Sequence, residues 1–100
     1  MTTEDPRATY KAINVRARSI MVGDVVKIGG MCFTRLSPDH ALSRYSIRQK
    51  ARYVDIKGVQ KYDGWVELKF LGGDSPANQR EMYALFRPFE LVQLQVLKEG

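Results

Sequence analysis

Between positions 44 and 53 the chain places cations at every second or fourth residue. Arg44, Ser46, Arg48, Lys50 and Arg52 alternate with Tyr45, Ile47, Ala51 and Tyr53. Successive side chains of an extended segment point to opposite faces. Arg44, Arg48, Lys50 and Arg52 then share one edge, at a spacing suited to the phosphates of a nucleic-acid backbone. Tyr45 and Tyr53 lie on the other side, where they either pack or stack on bases. Further along, Lys57, Lys61 and Lys69 accompany Trp65, the single tryptophan. An outward indole flanked by lysines would make a platform for single-stranded nucleic acid, with a base on the ring and the backbone along the cations.

Other constellations point away from catalysis. Asp39-His40 is the one acid–imidazole neighbour pair, and no serine or cysteine stands in a nucleophile motif. Catalysis needs several convergent groups, and the chain is therefore read as a non-enzyme. Cys32 lies between Met31 and Phe33 in an apolar run and reads as a small buried hydrophobe. A single cysteine and a single histidine form neither a disulfide nor a structural zinc site, and no cofactor is expected. Gly72-Gly73-Asp74-Ser75 is glycine-rich, but without a lysine and a helix behind it the stretch reads as a connection, not a phosphate loop.

Charge supports the first reading. The 100 residues carry 16 Lys and Arg against 11 Asp and Glu, a net +5. Residues 1–36 hold six basic and three acidic groups, residues 37–62 six and two, residues 63–100 four and six. The excess lies in the first two thirds, and a concentrated basic field attracts polyanions. No apolar run approaches the ~20 residues of a membrane-spanning helix. The start, MTTEDPRAT, has neither a secretory nor a transit pattern. These features predict a cytoplasmic protein in a reducing compartment, with no membrane partner.

The elements that must position these groups are mostly strands. Residues 1–9 lack apolar periodicity and predict a disordered tail. Residues 10–100 form a single domain with an insert at 37–52. Strands are expected at Ala12–Ala17, Val25–Ile28, Met31–Leu36, Val54–Lys61, Trp65–Leu71, Met82–Phe86 and Leu91–Leu97, with Gly29-Gly30 as a tight hairpin turn. In the insert, Ser37-Pro38-Asp39 is a helix-start signal. A short helical turn followed by an extended basic segment is predicted there. Five or six short antiparallel strands suggest a small barrel.

At Asp63-Gly64 the burial pattern selects a register. A two-residue loop would pair Lys61 with Val66 and Lys57 with Phe70, mixing charge and core on one face. A three-residue loop, Tyr62-Asp63-Gly64 with Gly64 left-handed, places Val54, Ile56, Val66, Leu68 and Phe70 inside. Lys57, Lys61, Trp65, Glu67 and Lys69 then lie outside. A one-residue slip flips every side chain, so the second register is expected.

Three segments carry a resemblance. Val22-Gly23-Asp24-Val25-Val26-Lys27-Ile28 resembles the glycine–acid–apolar entry to an early strand of the SH3-like small barrels, including KOW-type domains. Asp63-Gly64-Trp65-Val66-Glu67-Leu68 is similar to the tip of their following hairpin. Pro88-Phe89-Glu90-Leu91-Val92-Gln93-Leu94 is similar to their short 3₁₀ turn and closing strand. The resemblance spans about residues 12–97 and extends to free-standing accessory proteins of bacteria and their viruses. It implies a nucleic-acid clamp, a peptide binder or an assembly module. The aromatic and acidic first loop of peptide-binding SH3 domains is missing, and the basic insert stands in its place. DNA or RNA is therefore the expected partner. The alternative is a protein-interaction module, in a viral setting one aimed at a host factor. A homodimer covering open strand edges is a secondary expectation.

Overall fold

Period-two patterning governs most of the described residues. The computed structural model describes residues 10–35, 44–73 and 76–97. Six antiparallel strands account for most of them: β1 (Tyr10–Arg16), β2 (Val25–Arg35), β3 (Arg44–Tyr62), β4 (Trp65–Gly72), β5 (Arg80–Phe86) and β6 (Leu91–Leu97). Single 3₁₀ turns occupy Ala17–Ser19 and Pro76–Asn78. No helix among the described residues is long and apolar enough to cross a membrane. The predicted tail at 1–9 and the helical turn near Pro38 lie outside the described residues.

The strands form one sheet in the order β1-β6-β2-β3-β4-β5. A further pairing of Phe33 in β2 with Tyr83 in β5 closes β2, β3, β4 and β5 into a ring. β6 pairs with the start of β2 through Val25 and Val26, and β1 lies outside β6. β1 matches β6 over its full length, from Tyr10 opposite Leu97 to Arg16 opposite Leu91.

Inside the ring the core is apolar, including Val26, Ile28, Cys32, Val54, Ile56, Val66, Leu68, Phe70 and Met82. Burying side chains such as Leu68 and Phe70 stabilises the fold by roughly 1.5–3 kcal/mol each. The connection after β1 closes one end. There Ala17 and Ile20 are buried, and the Ala17 and Arg18 amides donate to the Glu90 and Pro88 carbonyls at 2.9 and 3.1 Å. Asp24 ties off the following turn, accepting from the Met21 amide at 2.8 Å.

Two sequence expectations are corrected here. Gly29-Gly30 is not a hairpin turn, because β2 runs straight through it. The register of β2 against β3 shifts between Ile28 and Gly30, so β3 bulges at Lys50-Ala51. A Cβ on Gly29 would lie 2.8 Å from both the Cα and the Cβ of Ala51. The glycine lets two backbones approach at a bulge, the other common use of glycine inside a strand.

The hairpin at Asp63-Gly64 is also different in detail. Tyr62 pairs with Trp65 and Lys61 with Val66, so the loop has two residues. The register shift occurs instead at a bulge between Ile56 and Gly58, with Lys57 the extra residue. Beyond it Ile56 pairs with Phe70, and Val54, Ile56, Val66, Leu68 and Phe70 are all buried as expected. The outer group is redistributed. Trp65, Glu67 and Lys69 share the outer face, while Lys61 opposite Val66 is turned to the other face and Lys57 sits in the bulge. Glu67 is covered, not solvated, at 4% exposure.

Candidate functional site

The bulge in β3 decides where its cations go. Ile28 and Val26 face the core, and their partners across the ladder are Arg52 and Val54. Arg52 therefore follows Val54 and Ile56 on the inner face, at the end of the ring away from Ala17 and Ile20. Past the bulge the alternation is reset, so Gln49 and Ile47 face inward opposite Gly30 and Cys32, while Arg48 and Ser46 pair with Met31 and Phe33 on the other side. The single cationic face expected for Arg44, Arg48, Lys50 and Arg52 is thus broken at Lys50. Arg44 is the first residue of β3, paired with Arg35, at the far end of the ladder.

Arg48, Lys50 and Arg52 nonetheless converge on one feature. They line a cavity of about 520 Å³ together with Arg80, and no aspartate or glutamate stands among its described lining residues. Gly72 and Gly73 from the end of β4 supply another wall, with Met82 and Ile47 as apolar surface. Gly72 has a specific reason to lack a side chain. A Cβ there would lie 2.5 Å from Met82 Sδ, and 3.3 Å from both Arg52 Nη2 and Gln49 Oε1. The Arg52 guanidinium thus lies against the bare backbone of β4.

Arg80 and Gln49 were not singled out in the sequence, and Gly72, read there as part of a connection, is the last residue of β4. Arg80 precedes Met82 and Ala84 at inward positions, and Gly72 is its partner across the ladder. A cation in phase with a buried apolar series was the available signal, and Arg52 before Val54 and Ile56 shows the same pattern.

Trp65 belongs to a separate place at the β3–β4 tip, ten residues along β3 from Arg52, or about 33 Å of extended strand. Its indole is 39% exposed. The Arg87 guanidinium lies over the ring, 4.2 Å from its centroid. Behind it the Tyr62 hydroxyl donates to Glu67 Oε1 at 3.5 Å. Lys69 pairs with Glu81 at 3.9 Å, and the Tyr83 hydroxyl donates to the other Glu81 oxygen at 3.1 Å. The expected row of Lys57, Lys61 and Lys69 beside Trp65 is not assembled. Lys69 is engaged, and the bulge at Lys57 diverts the other two.

Cys32 faces the core, and burial pushes its thiol pKa up. A thiol held protonated is a poor nucleophile, which fits its reading as a packing residue. At the closed end, the joined loops carry exposed Met21, Val22, Phe89 and Leu91. Arg16 and Arg18 lie 5.8 and 4.9 Å from the Phe89 ring centroid.

Comparison with protein-family models, with curated proteins and with solved structures finds no match to this chain.

Proposed function

We propose that the protein is a small, non-enzymatic nucleic-acid-binding module that acts in the cytoplasm, with the cation-lined cavity as its contact site. One observation carries this reading: Arg48, Lys50, Arg52 and Arg80 line a single cavity whose described walls hold no carboxylate. Arg48, Lys50 and Arg52, with Arg80 beside them, concentrate positive charge at one place, and such a field recruits polyanions and releases their counterions on binding. The resemblance of the segments 22–28, 63–68 and 88–94 to SH3-like barrels, which serve as clamps among other roles, points the same way.

The test is a salt titration of binding to labelled DNA and RNA, single- and double-stranded. Replacing Arg48, Lys50, Arg52 and Arg80 together by Gln is expected to weaken binding and flatten the log–log salt slope. The flattening is about 0.9 per lost duplex contact, or about 0.7 for a single strand. A wild type that binds no nucleic acid at low salt moves the assignment to the second reading.

That second reading is a protein-interaction module, favoured by the exposed Met21, Val22, Phe89 and Leu91 at the closed end. Among the described residues β1 is an edge strand paired only with β6, a place where a second copy could add a strand. A salt-tolerant partner in a nuclease-treated pull-down distinguishes it from the first.

A further inference from the structure

The depth of Arg52 in the cavity narrows the chemistry of the ligand. Its Nε and Nη2 atoms are both buried, and neither has a hydrogen-bond partner among the described residues. A buried charged donor left without an acceptor is unfavourable, and native proteins rarely keep one without a purpose. These two nitrogens form one edge of the guanidinium. Their N–H groups project in parallel, at the separation that matches two oxygens of one phosphate or carboxylate. Gly72 holds that edge open, since a side chain there would crowd Nη2 and the neighbouring Gln49.

We propose that this cavity binds a phosphomonoester, with Arg52 as the fork beneath its oxygens and Arg48, Lys50 and Arg80 as the surrounding charge. This deepens the nucleic-acid reading and rests on it where the phosphate terminates a strand. A phosphomonoester carries a charge of about −1.5 to −2 at neutral pH, against −1 for a carboxylate or a backbone diester. Arg48 and Lys50 beside the Arg52 fork favour the more highly charged group. The volume, about 520 Å³, falls in the ~300–1,000 Å³ range of small-molecule sites and suits a nucleotide-sized end. A phosphate inside a continuous duplex is held in the backbone and cannot descend to buried nitrogens, whereas a terminal one can. The same chemistry is presented by a free nucleotide and by a phosphorylated strand end.

Calorimetry and anisotropy with defined probes separate these sources. The probes are inorganic phosphate, adenosine, adenosine monophosphate, and one single-stranded oligonucleotide bearing either a 5′-phosphate, a 3′-phosphate or hydroxyls at both ends. The expected result is binding at least tenfold tighter for one phosphorylated end than for the hydroxyl form. Arg52→Lys and Arg52→Gln should erase that difference, with thermal melting and circular dichroism showing that both variants remain folded. The lysine variant keeps the charge and loses the fork, so a loss in both assigns the effect to geometry. If phosphate and adenosine monophosphate bind in an Arg52-dependent way and no oligonucleotide does, the ligand is a free nucleotide. The present inference then stands and the nucleic-acid reading falls. If oligonucleotides bind equally whatever their ends, and the Arg52 variants lose nothing, the phosphomonoester site is overturned while nucleic-acid binding survives. A wild type indifferent to phosphate, to adenosine monophosphate and to both phosphorylated ends also overturns it.

Discussion

The guanidinium of Arg87 stacks on the indole of Trp65, 4.2 Å from the ring centroid. Trp65 is outward, as its position in the hairpin implies, yet the chain itself supplies a cover for one ring face. Cation–π contacts at exposed sites contribute about 0.5–1 kcal/mol. Arg87→Ala is expected to destabilise the fold by that amount. It should also shift the emission of this single tryptophan to the red and increase quenching by acrylamide. A base stacking on Trp65 must share or displace Arg87. In that case an oligonucleotide will change the fluorescence of the Arg87→Ala protein more than that of wild type. Equal or absent changes in both proteins remove Trp65 from the nucleic-acid contact.

Gly64 takes φ 81°, with nothing within 4 Å of the position a Cβ would occupy. The cost of Gly64→Val is therefore conformational and not steric with neighbours, roughly 1–3 kcal/mol for a β-branched residue at positive φ. Gly64→Asn, which tolerates the left-handed region, should lose much less. Urea unfolding of the three proteins gives the order directly, and equal midpoints would contradict the turn.

Gly29 poses the opposite situation. A methyl group there meets the Ala51 backbone at 2.8 Å, and overpacking of this kind costs about 1–3 kcal/mol. Gly29→Ala is expected to lower the urea midpoint measurably, whereas in a solvent-exposed hairpin turn it would be nearly neutral. A neutral outcome would restore the turn and abolish the bulge opposite it.

Cys32 supplies a pH-dependent prediction. Burial raises its folded pKa, so the folded state holds the proton more tightly than the unfolded chain. Its contribution to stability is complete below the unfolded thiol pKa of ~8.5 and is lost as pH rises through the folded value. Between pH 8 and 10 the wild type should lose stability faster than Cys32→Ala, which starts lower because of the cavity. At pH 8 a disulfide reagent should react with Cys32 only after denaturant is added. Rapid reaction in the native protein would place the thiol outside the core.

The inward set Val54, Ile56, Val66, Leu68 and Phe70 was legible because burial imposes alternation whatever the loop does. The device that produces it was not. A third loop residue and a bulge at Lys57 both shift the register by one, and only the ladder distinguishes them. They differ for the outer residues, which is why Lys57 and Lys61 leave the face of Trp65. Arg52 shows a conflict of two regular patterns. From Arg44 upward it belongs to a basic series, and from Ile56 downward to an apolar one. The bulge at Lys50-Ala51 is where the two phases meet. Gly29-Gly30 was misread for a related reason: a glycine pair between apolar runs marks either a reversal or a close approach, and local sequence does not say which.

Pairing β1 with β6 has a consequence for the order of events at the ribosome. Of the described strands β1 is made first and its partner β6 last, and Arg16 meets Leu91 and Tyr10 meets Leu97. At about 5–20 residues per second, the stretch between Arg16 and Leu97 takes roughly 4–16 s to synthesise. Throughout that interval β1 has no native neighbour to pair with. Its exposed alternation of Tyr10, Ala12 and Asn14 with Lys11 and Ile13 keeps a seven-residue segment half polar while it waits. Closing a contact across nearly the whole chain also carries a high loop-closure cost. β1 therefore cannot dock until β6 has been made, and the pairing that completes the sheet comes late in folding.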